Sequence, residues 1–279
     1  VKEVIDGDFD FTRNSSATRV NSQGLIEDVQ ILSSNLVTNG DFSQEGSELV
    51  TNGDFATNLS GWLVTDGAAG IEITWTANGV SFITDGAGGG IQQSVMTVGK
   101  SYLIEFDYTA VSGAIKMLPY FTDISETKRY SGYFVATTAN IAFYRNLAGT
   151  EGIIDNVSVK EVGQDWTLST GWSIGEDKAI ATDAAFGAQI VDDTTLVANK
   201  KYKVTFDISD YVKGNVRVGV GNAFSSEVSS NGSFTFIITS SNTNAFKAQT
   251  RAGGSGTTLS ISNISVIEIT EDTNLPRID

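Results

Sequence analysis

Apolar and polar residues alternate along this chain in short runs, the two-residue period of a strand with one face buried. Tyr102, Ile104, Phe106 and Tyr108 share one parity and Ser101, Glu105 and Asp107 the other, and Tyr202, Val204, Phe206 and Ile208 repeat the pattern. Further strands are predicted over 71–75, 80–83, 114–121, 133–136, 141–145 and 153–162, and again over 178–182, 188–191, 216–220, 233–239, 245–251 and 259–269. No segment sustains the 3.6-residue period of an amphipathic helix. With turn signals every ~8–12 residues, the pattern predicts an all-β chain built of β-sandwich jelly rolls, an up-and-down barrel being the alternative.

The same pattern occurs twice. Gly61-Trp62 recurs as Gly171-Trp172, Lys100-Ser101-Tyr102-Leu103-Ile104-Glu105-Phe106-Asp107 as Lys200-Lys201-Tyr202-Lys203-Val204-Thr205-Phe206-Asp207, and Asp155-Asn156-Val157-Ser158-Val159 as Ser262-Asn263-Ile264-Ser265-Val266, at offsets of 110, 100 and 107 residues. Ordered landmarks at near-constant spacing indicate a tandem duplication, with modules predicted at 48–162 and 163–270. A shorter repeat, Leu36-Val37-Thr38-Asn39-Gly40-Asp41-Phe42, returns 13 residues later as Leu49-Val50-Thr51-Asn52-Gly53-Asp54-Phe55. Only the second copy runs directly into a module, so residues 35–47 read as a linker and Asp41 as a solvated linker residue. Residues 1–34 read as a scaffold segment in which 17–20 and 25–29 flank the turn Asn21-Ser22-Gln23-Gly24 as a β-hairpin, and 271–279 as a C-terminal connector. Val1-Lys2-Glu3-Val4 repeats Val159-Lys160-Glu161-Val162, as the tail of a preceding module would.

Composition narrows the chemistry. The 279 residues contain neither His nor Cys, which excludes His-assisted nucleophiles, the usual zinc ligand sets, disulfides and thiol redox chemistry. With 18 basic against 33 acidic residues the net charge is −15, and that field opposes nucleic acid and anionic membranes. No apolar run approaches the ~18 residues of a membrane span, and Lys2, Glu3, Asp6, Asp8 and Asp10 interrupt any signal-peptide core. A glycosidase needs two carboxylates ~5–9 Å apart across a cleft, for which two small sandwiches leave little chain, so the reading is non-enzymatic. Gly86-Ala87-Gly88-Gly89-Gly90 and Gly253-Gly254-Ser255-Gly256 lack the Lys-Ser/Thr of a phosphate loop and read as turns.

Two resemblances refine this. Thr51-Asn52-Gly53-Asp54-Phe55, Gly61-Trp62, Val98-Gly99-Lys100-Ser101-Tyr102 and Ile153-Ile154-Asp155-Asn156-Val157-Ser158-Val159 resemble the galactose-binding-like jelly roll of carbohydrate-binding modules found beside xylanases and cellulases. That resemblance implies a structural Ca²⁺ in the first module, with Asp54 and Asp155 at the matching positions. The second module carries Asn263 near the family's aspartate. Separately, the run from Asp10 to Asn21 (Asp10-Phe11-Thr12-Arg13-Asn14-Ser15-Ser16-Ala17-Thr18-Arg19-Val20-Asn21), Gly24-Leu25-Ile26-Glu27 and Asn274-Leu275-Pro276-Arg277-Ile278-Asp279 are similar to a pattern in bacteriophage tail-fibre and virion-surface proteins. It implies a location on a virion surface or outside the cell, with other virion proteins and host cell-surface glycans as partners, in a homo-oligomeric assembly without membrane insertion.

Glycan binding needs exposed aromatic rings beside hydrogen-bonding groups. Trp62 and Trp172 fall on the shared Gly-Trp landmark and Trp75 in phase with Ile71 and Ile73, so all three read as core. Tyr120, Tyr130, Tyr133 and Tyr144 are the candidate stacking residues, with Asn140, Arg145 and Asn146 as polar companions. The functional expectation is a phage tail or fibre protein displaying glycan-binding modules for host attachment. The alternatives are a module pair of a secreted polysaccharide-degrading enzyme and a purely structural spacer, which burial of Tyr120, Tyr130 and Tyr133 would favour.

Overall fold

The alternation seen in the sequence becomes two long strands, Ser101–Ser112 and Lys201–Lys213. Tyr102, Ile104, Phe106 and Tyr108 on the first and Tyr202, Val204, Phe206 and Ile208 on the second are buried along one face. A computed structural model of the protein describes residues 18–20, 26–28, 30–66, 71–84, 89–147, 149–251 and 256–271. Among them every strand pairing is antiparallel and there is no helix. Ser101–Ser112 lies between Lys128–Val135 and Thr150–Val162, followed by Gly79–Thr84 and Ile71–Thr76, with Glu45–Glu48 also on Thr150–Val162. Facing this sheet is a five-stranded one in the order Phe121–Ile124, Ile115–Met117, Asn140–Arg145, Gly89–Ser94, Leu63–Asp66. Their inner faces close over one core, from Phe55 and Trp62 to Phe143 and Val159.

The second sandwich repeats the plan. Its larger sheet runs Trp172–Gly175, Lys178–Ala184, Thr257–Glu271, Lys201–Lys213, Gly232–Thr239, with Gln30–Leu32 joined to Thr257–Glu271. The smaller runs Trp166–Leu168, Gln189–Asp192, Lys247–Thr250, Val216–Val220, Ala223–Phe224. Of the N-terminal hairpin, Thr18–Val20 pairs with Ile26–Asp28 as expected; its turn, residues 1–17 and residues 272–279 of the connector lie outside the described residues.

The two Asn-Gly-Asp-Phe repeats each open one sandwich. In the second copy Leu49 N–H donates to Val159 O at 3.0 Å and Val157 N–H to Gly53 O at 2.9 Å. In the first copy Leu36 N–H donates to Val266 O at 2.9 Å and Ile264 N–H to Gly40 O at 2.8 Å. A Cβ on Gly40 would sit 2.0 Å from Ile264 O, and one on Gly53 2.0 Å from Val157 O, so both positions require glycine. Residues 36–42 are therefore not the expected linker. They place Val37 and Phe42 in the core of the second sandwich, and the first sandwich is inserted between its opening segment and the rest.

The insertion also re-pairs the tryptophans. Trp62 donates its indole N–H to Asn52 O at 3.1 Å and packs on Phe55; Trp166 donates to Asn39 O at 3.2 Å and packs on Phe42. Trp62 thus corresponds to Trp166, and the Gly-Trp match to Trp172 is a coincidence of sequence. Trp62 and Trp172 are buried as expected, but Trp75 is 40% exposed, because its indole reaches over the opening turn to Phe55 O at 2.6 Å. At the seam between sandwiches, Leu103 and Val162 pack into the second core, and Ser101 Oγ accepts the Ile174 N–H at 3.1 Å.

Two outcomes follow from this packing. Phe42→Ala is expected to cost about 3–5 kcal/mol, as for a fully buried aromatic, with hydrogen-exchange protection lost first along Thr257–Glu271; a cost below about 1 kcal/mol in denaturant unfolding would return residues 36–42 to linker status. Asp192 is buried, its carboxylate accepting the Thr194 N–H and hydroxyl, and burial pushes its pKa up to about 6. The folded state then holds this proton more tightly than the unfolded chain, so stability falls as pH rises from about 4 to about 6, by an order of magnitude of 3 kcal/mol. Asp192→Asn is expected to remove that component from the pH profile of the melting temperature; unchanged profiles would refute it.

Candidate functional site

The four candidate tyrosines occupy four different environments. Tyr130 points inward from Lys128–Val135, is 8% exposed and stacks on Phe106 at 5.1 Å with its ring nearly parallel. It is a core residue and offers no face to a ligand; its register partner is Phe106, on the buried parity of Ser101–Ser112. Tyr120 is half-buried: its ring lies 4.6 Å from Phe134 and its hydroxyl accepts the Thr137 N–H at 3.2 Å. Tyr133 is on the opposite parity to Tyr130 and 37% exposed, but it abuts the second sandwich, where its ring covers Gly175. Burial there, followed by the charges of Asp177 and Glu45, raises its hydroxyl above the usual phenol range.

Tyr144 is different. On Asn140–Arg145, Ile141 and Phe143 enter the core, which gives Asn140, Ala142 and Tyr144 the outward parity, Asn140 and Tyr144 half-buried and Ala142 buried beneath its neighbours. On the adjacent Gly89–Ser94, Ile91 is buried and Gly90 and Gln92 share the outward face, Tyr144 lying opposite Gly90 and Ala142 opposite Gln92. The Tyr144 ring crosses Gly90, where a Cβ would meet Cδ1 at 2.3 Å, and its hydroxyl donates to Gln92 Oε1 at 3.1 Å. Asn140 Nδ2 approaches the same oxygen at 3.5 Å. Lys116 pairs opposite Tyr144 on the next strand, and Leu63 opposite Gln92 on the other side. The result is one aromatic ring, two amides, an ammonium and an exposed leucine on a single sheet face, a combination suited to stacking and hydroxyl recognition.

Asn140 joins this face, whereas Arg145 has the inward parity and Asn146 bonds Thr122 O at 2.8 Å beyond the strand end. Gln92, Lys116 and Leu63 were missed in the sequence, although the inward parity of Ile91, Ile115 and Met117 marks their neighbours as outward-facing. A cleft of ≈390 Å³ at the seam is lined by Gly99, Val135, Leu168, Trp172 and Thr182 among others; it contains no charged side chain.

The calcium expectation concerns Asp54 and Asp155. Asp54 is exposed after the opening turn, and Asp155 accepts the Asn156 N–H at 2.8 Å. Burial first, then the charges of Asp107 and Asp54, raise the Asp155 carboxyl above the usual range. Asp107 is itself held by Asn156 Nδ2 at 2.8 Å and by Arg129 at 3.4 Å. Among the described residues no three acidic side chains are grouped to hold a metal ion, and Ala56 supplies no side-chain oxygen. Calcium needs six to eight oxygens, of which the carboxylates of Asp54 and Asp155 would supply a part and backbone carbonyls the rest. The second sandwich has the same arrangement without the extra carboxylate: Asn263 Nδ2 donates to Asp207 at 2.7 Å. Asn156 and Asn263 both have positive φ, 51° and 52°, at a bulge that their bond to the neighbouring strand secures.

No family model matches the chain, and no curated protein matches it. Among solved structures it is similar to the CBM22-1-CBM22-2 tandem domain of Xyn10C from Paenibacillus barcinonensis, with 8% identity, a TM-score of 0.33, and coverage of 81% of this chain and 99% of that one. It is also similar to the secreted serine protease VesC from Vibrio cholerae, with 11% identity, a TM-score of 0.28, and coverage of 64% and 46%. A third likeness is to Sulfolobus Turreted Icosahedral Virus, with 11% identity, a TM-score of 0.20, and coverage of 76% and 59%. At these scores the likenesses carry no argument about a site, and the all-β two-sandwich fold stands on its own strand order and its two cores.

Proposed function

We propose that this protein is a non-enzymatic glycan-binding protein whose first sandwich presents the face built by Tyr144, Gln92, Asn140, Lys116 and Leu63. The observation that carries the reading is Tyr144, laid across Gly90 and bonded to Gln92 on an outward sheet face while nearly every other aromatic of the sandwich serves the core. A ring anchored at its hydroxyl loses little entropy on receiving a sugar. The biological setting we propose is a virion surface, a phage tail or fibre, because residues 10–27 and 274–279 resemble tail-fibre proteins; its partners are other virion proteins and host-surface glycans, and many copies on one particle turn weak contacts into avidity. A second reading, a structural spacer that binds no sugar, is favoured by the burial of Tyr130 and the half-burial of Tyr120.

Titration of the purified chain across a panel of bacterial and algal polysaccharides separates the two. The expected result is saturable binding that Tyr144→Ala or Gln92→Ala weakens about tenfold or more, with Tyr120→Phe and Tyr133→Phe close to wild type. Silence across the panel from a folded chain assigns it to the spacer reading. A structural calcium held by Asp54 and Asp155 belongs to the same proposal: a cation held at 100 times its Kd would contribute about 2.7 kcal/mol, so a chelator is expected to lower the melting temperature by several degrees, and a change within about 1 °C would remove calcium from the reading.

A further inference from the structure

The outward face of the second sandwich's five-stranded sheet concentrates positive charge in a chain of net charge −15. Val216, Val218 and Val220 enter the core, so Arg217 points outward beside Gln249, its register partner. Both Nε and Nη2 of Arg217 donate to Gln249 Oε1, at 3.1 and 2.7 Å, and its Cζ lies 3.7 Å from the Phe224 ring centroid. Lys247 Nζ is 5.9 Å from the same ring and donates to Asn222 Oδ1 at 2.9 Å. At the end of the face, Arg251 lies 4.1 Å over the Phe186 ring, which is 57% exposed, and its Nε donates to Glu227 at 3.2 Å.

This grouping is unusual in its charge balance. Glu227 serves Arg251, while among the described residues no carboxylate pairs with Arg217 or Lys247, whose polar partners are amide oxygens. Burial first, then the Arg251 charge, lower the Arg217 pKa from the ordinary guanidinium value, with Glu227 opposing. Gathering like charges in this way is unfavourable without an anion to receive. Gln249 fixes the guanidinium from one side only, leaving Nη1 without a bonded partner among the described residues, and a planar fork is the group suited to carboxylates and sulfates. Lys116 and Tyr144 hold the same register on the first sandwich as Arg217 and Gln249 on the second, so the duplicated sheet carries a largely neutral face in one copy and a cationic face in the other.

We infer that this second face binds an anionic polysaccharide, its carboxylate or sulfate groups received by Arg217, Arg251 and Lys247 and its rings packed against Phe186 and Phe224. The inference rests on reading the protein as glycan-binding, and extends it to a separate site with a different ligand class. A long nucleic-acid duplex is disfavoured because the patch is small and the surrounding chain acidic.

The test is calorimetric titration of the full chain with polygalacturonate, dextran sulfate, unmodified dextran and a single-stranded oligonucleotide, at two salt concentrations, for wild type, Arg217→Gln, Arg251→Gln and Tyr144→Ala. Binding of polygalacturonate or dextran sulfate is expected, weaker at higher salt and weakened about tenfold by Arg217→Gln but not by Tyr144→Ala; which polymer binds tells carboxylate from sulfate. Failure of both acidic polymers to bind, equal binding of dextran, tighter binding of the oligonucleotide, or indifference to both arginine substitutions would each overturn the inference. Arg251→Gln, at an exposed edge, and the salt dependence of the wild type keep the test decisive if Arg217→Gln does not fold. Neutral-glycan binding lost only in Tyr144→Ala belongs to the first site, so the two readings fail separately.

Discussion

The approach of each opening turn to its closing strand is the constraint on which both sandwiches depend. Gly40 and Gly53 bring a carbonyl within reach of Ile264 N–H and Val157 N–H, in space that no side chain can share. The left-handed Asn39 and Asn52 just before them turn the chain so that Phe42 and Phe55 plunge into their cores. Each turn's carbonyl, Asn39 O or Asn52 O, accepts the backbone N–H of that Phe and also the N–H of a buried indole, Trp166 or Trp62. Backbone, turn and core are tied at one point, which is why this short stretch is the best preserved part of the duplication.

The same point explains the inserted architecture. Both opening motifs come before either sandwich is complete in sequence, so the first sandwich is contiguous while the second pairs its opening segment with residues far along the chain. The join is short and is reinforced by Leu103, Val162 and the Ser101–Ile174 bond. An insertion of this kind leaves the small sheets free to carry different surfaces, since neither has to cover the other's core.

Parity then decides what those surfaces can do. On the central strands of the small sheets most aliphatic and phenyl side chains go inward, and the residues between them lie on the outer face. In the first sandwich this places Tyr144 with Gln92 and Asn140, half-buried, on the outer face; in the second it places Arg217 with Gln249 and Lys247 there, also half-buried. The larger sheets are less available, because their outer faces meet at the seam, where Tyr133 is engaged by Gly175.

The all-β class, the duplication and the inward residues of the long strands were legible in the sequence, because a two-residue period and a repeated motif are local signals that burial on one face leaves directly in the chain. The outward parity of Tyr144 and Asn140 was legible for the same reason. Local pattern was blind to which core each copy of the Asn-Gly-Asp-Phe motif enters, since that depends on pairing with strands more than 200 residues away in one case and about 100 in the other. It also misplaced Tyr130, whose inward direction is set by its partner Phe106, and Trp75, whose indole is drawn outward to the Phe55 carbonyl. Only the tertiary structure shows Asp107 beside Asp155, bonded by Asn156 and Arg129. The cationic face is likewise a product of the fold: Arg217, Lys247 and Arg251 are ordinary scattered charges until antiparallel pairing sets their strands side by side.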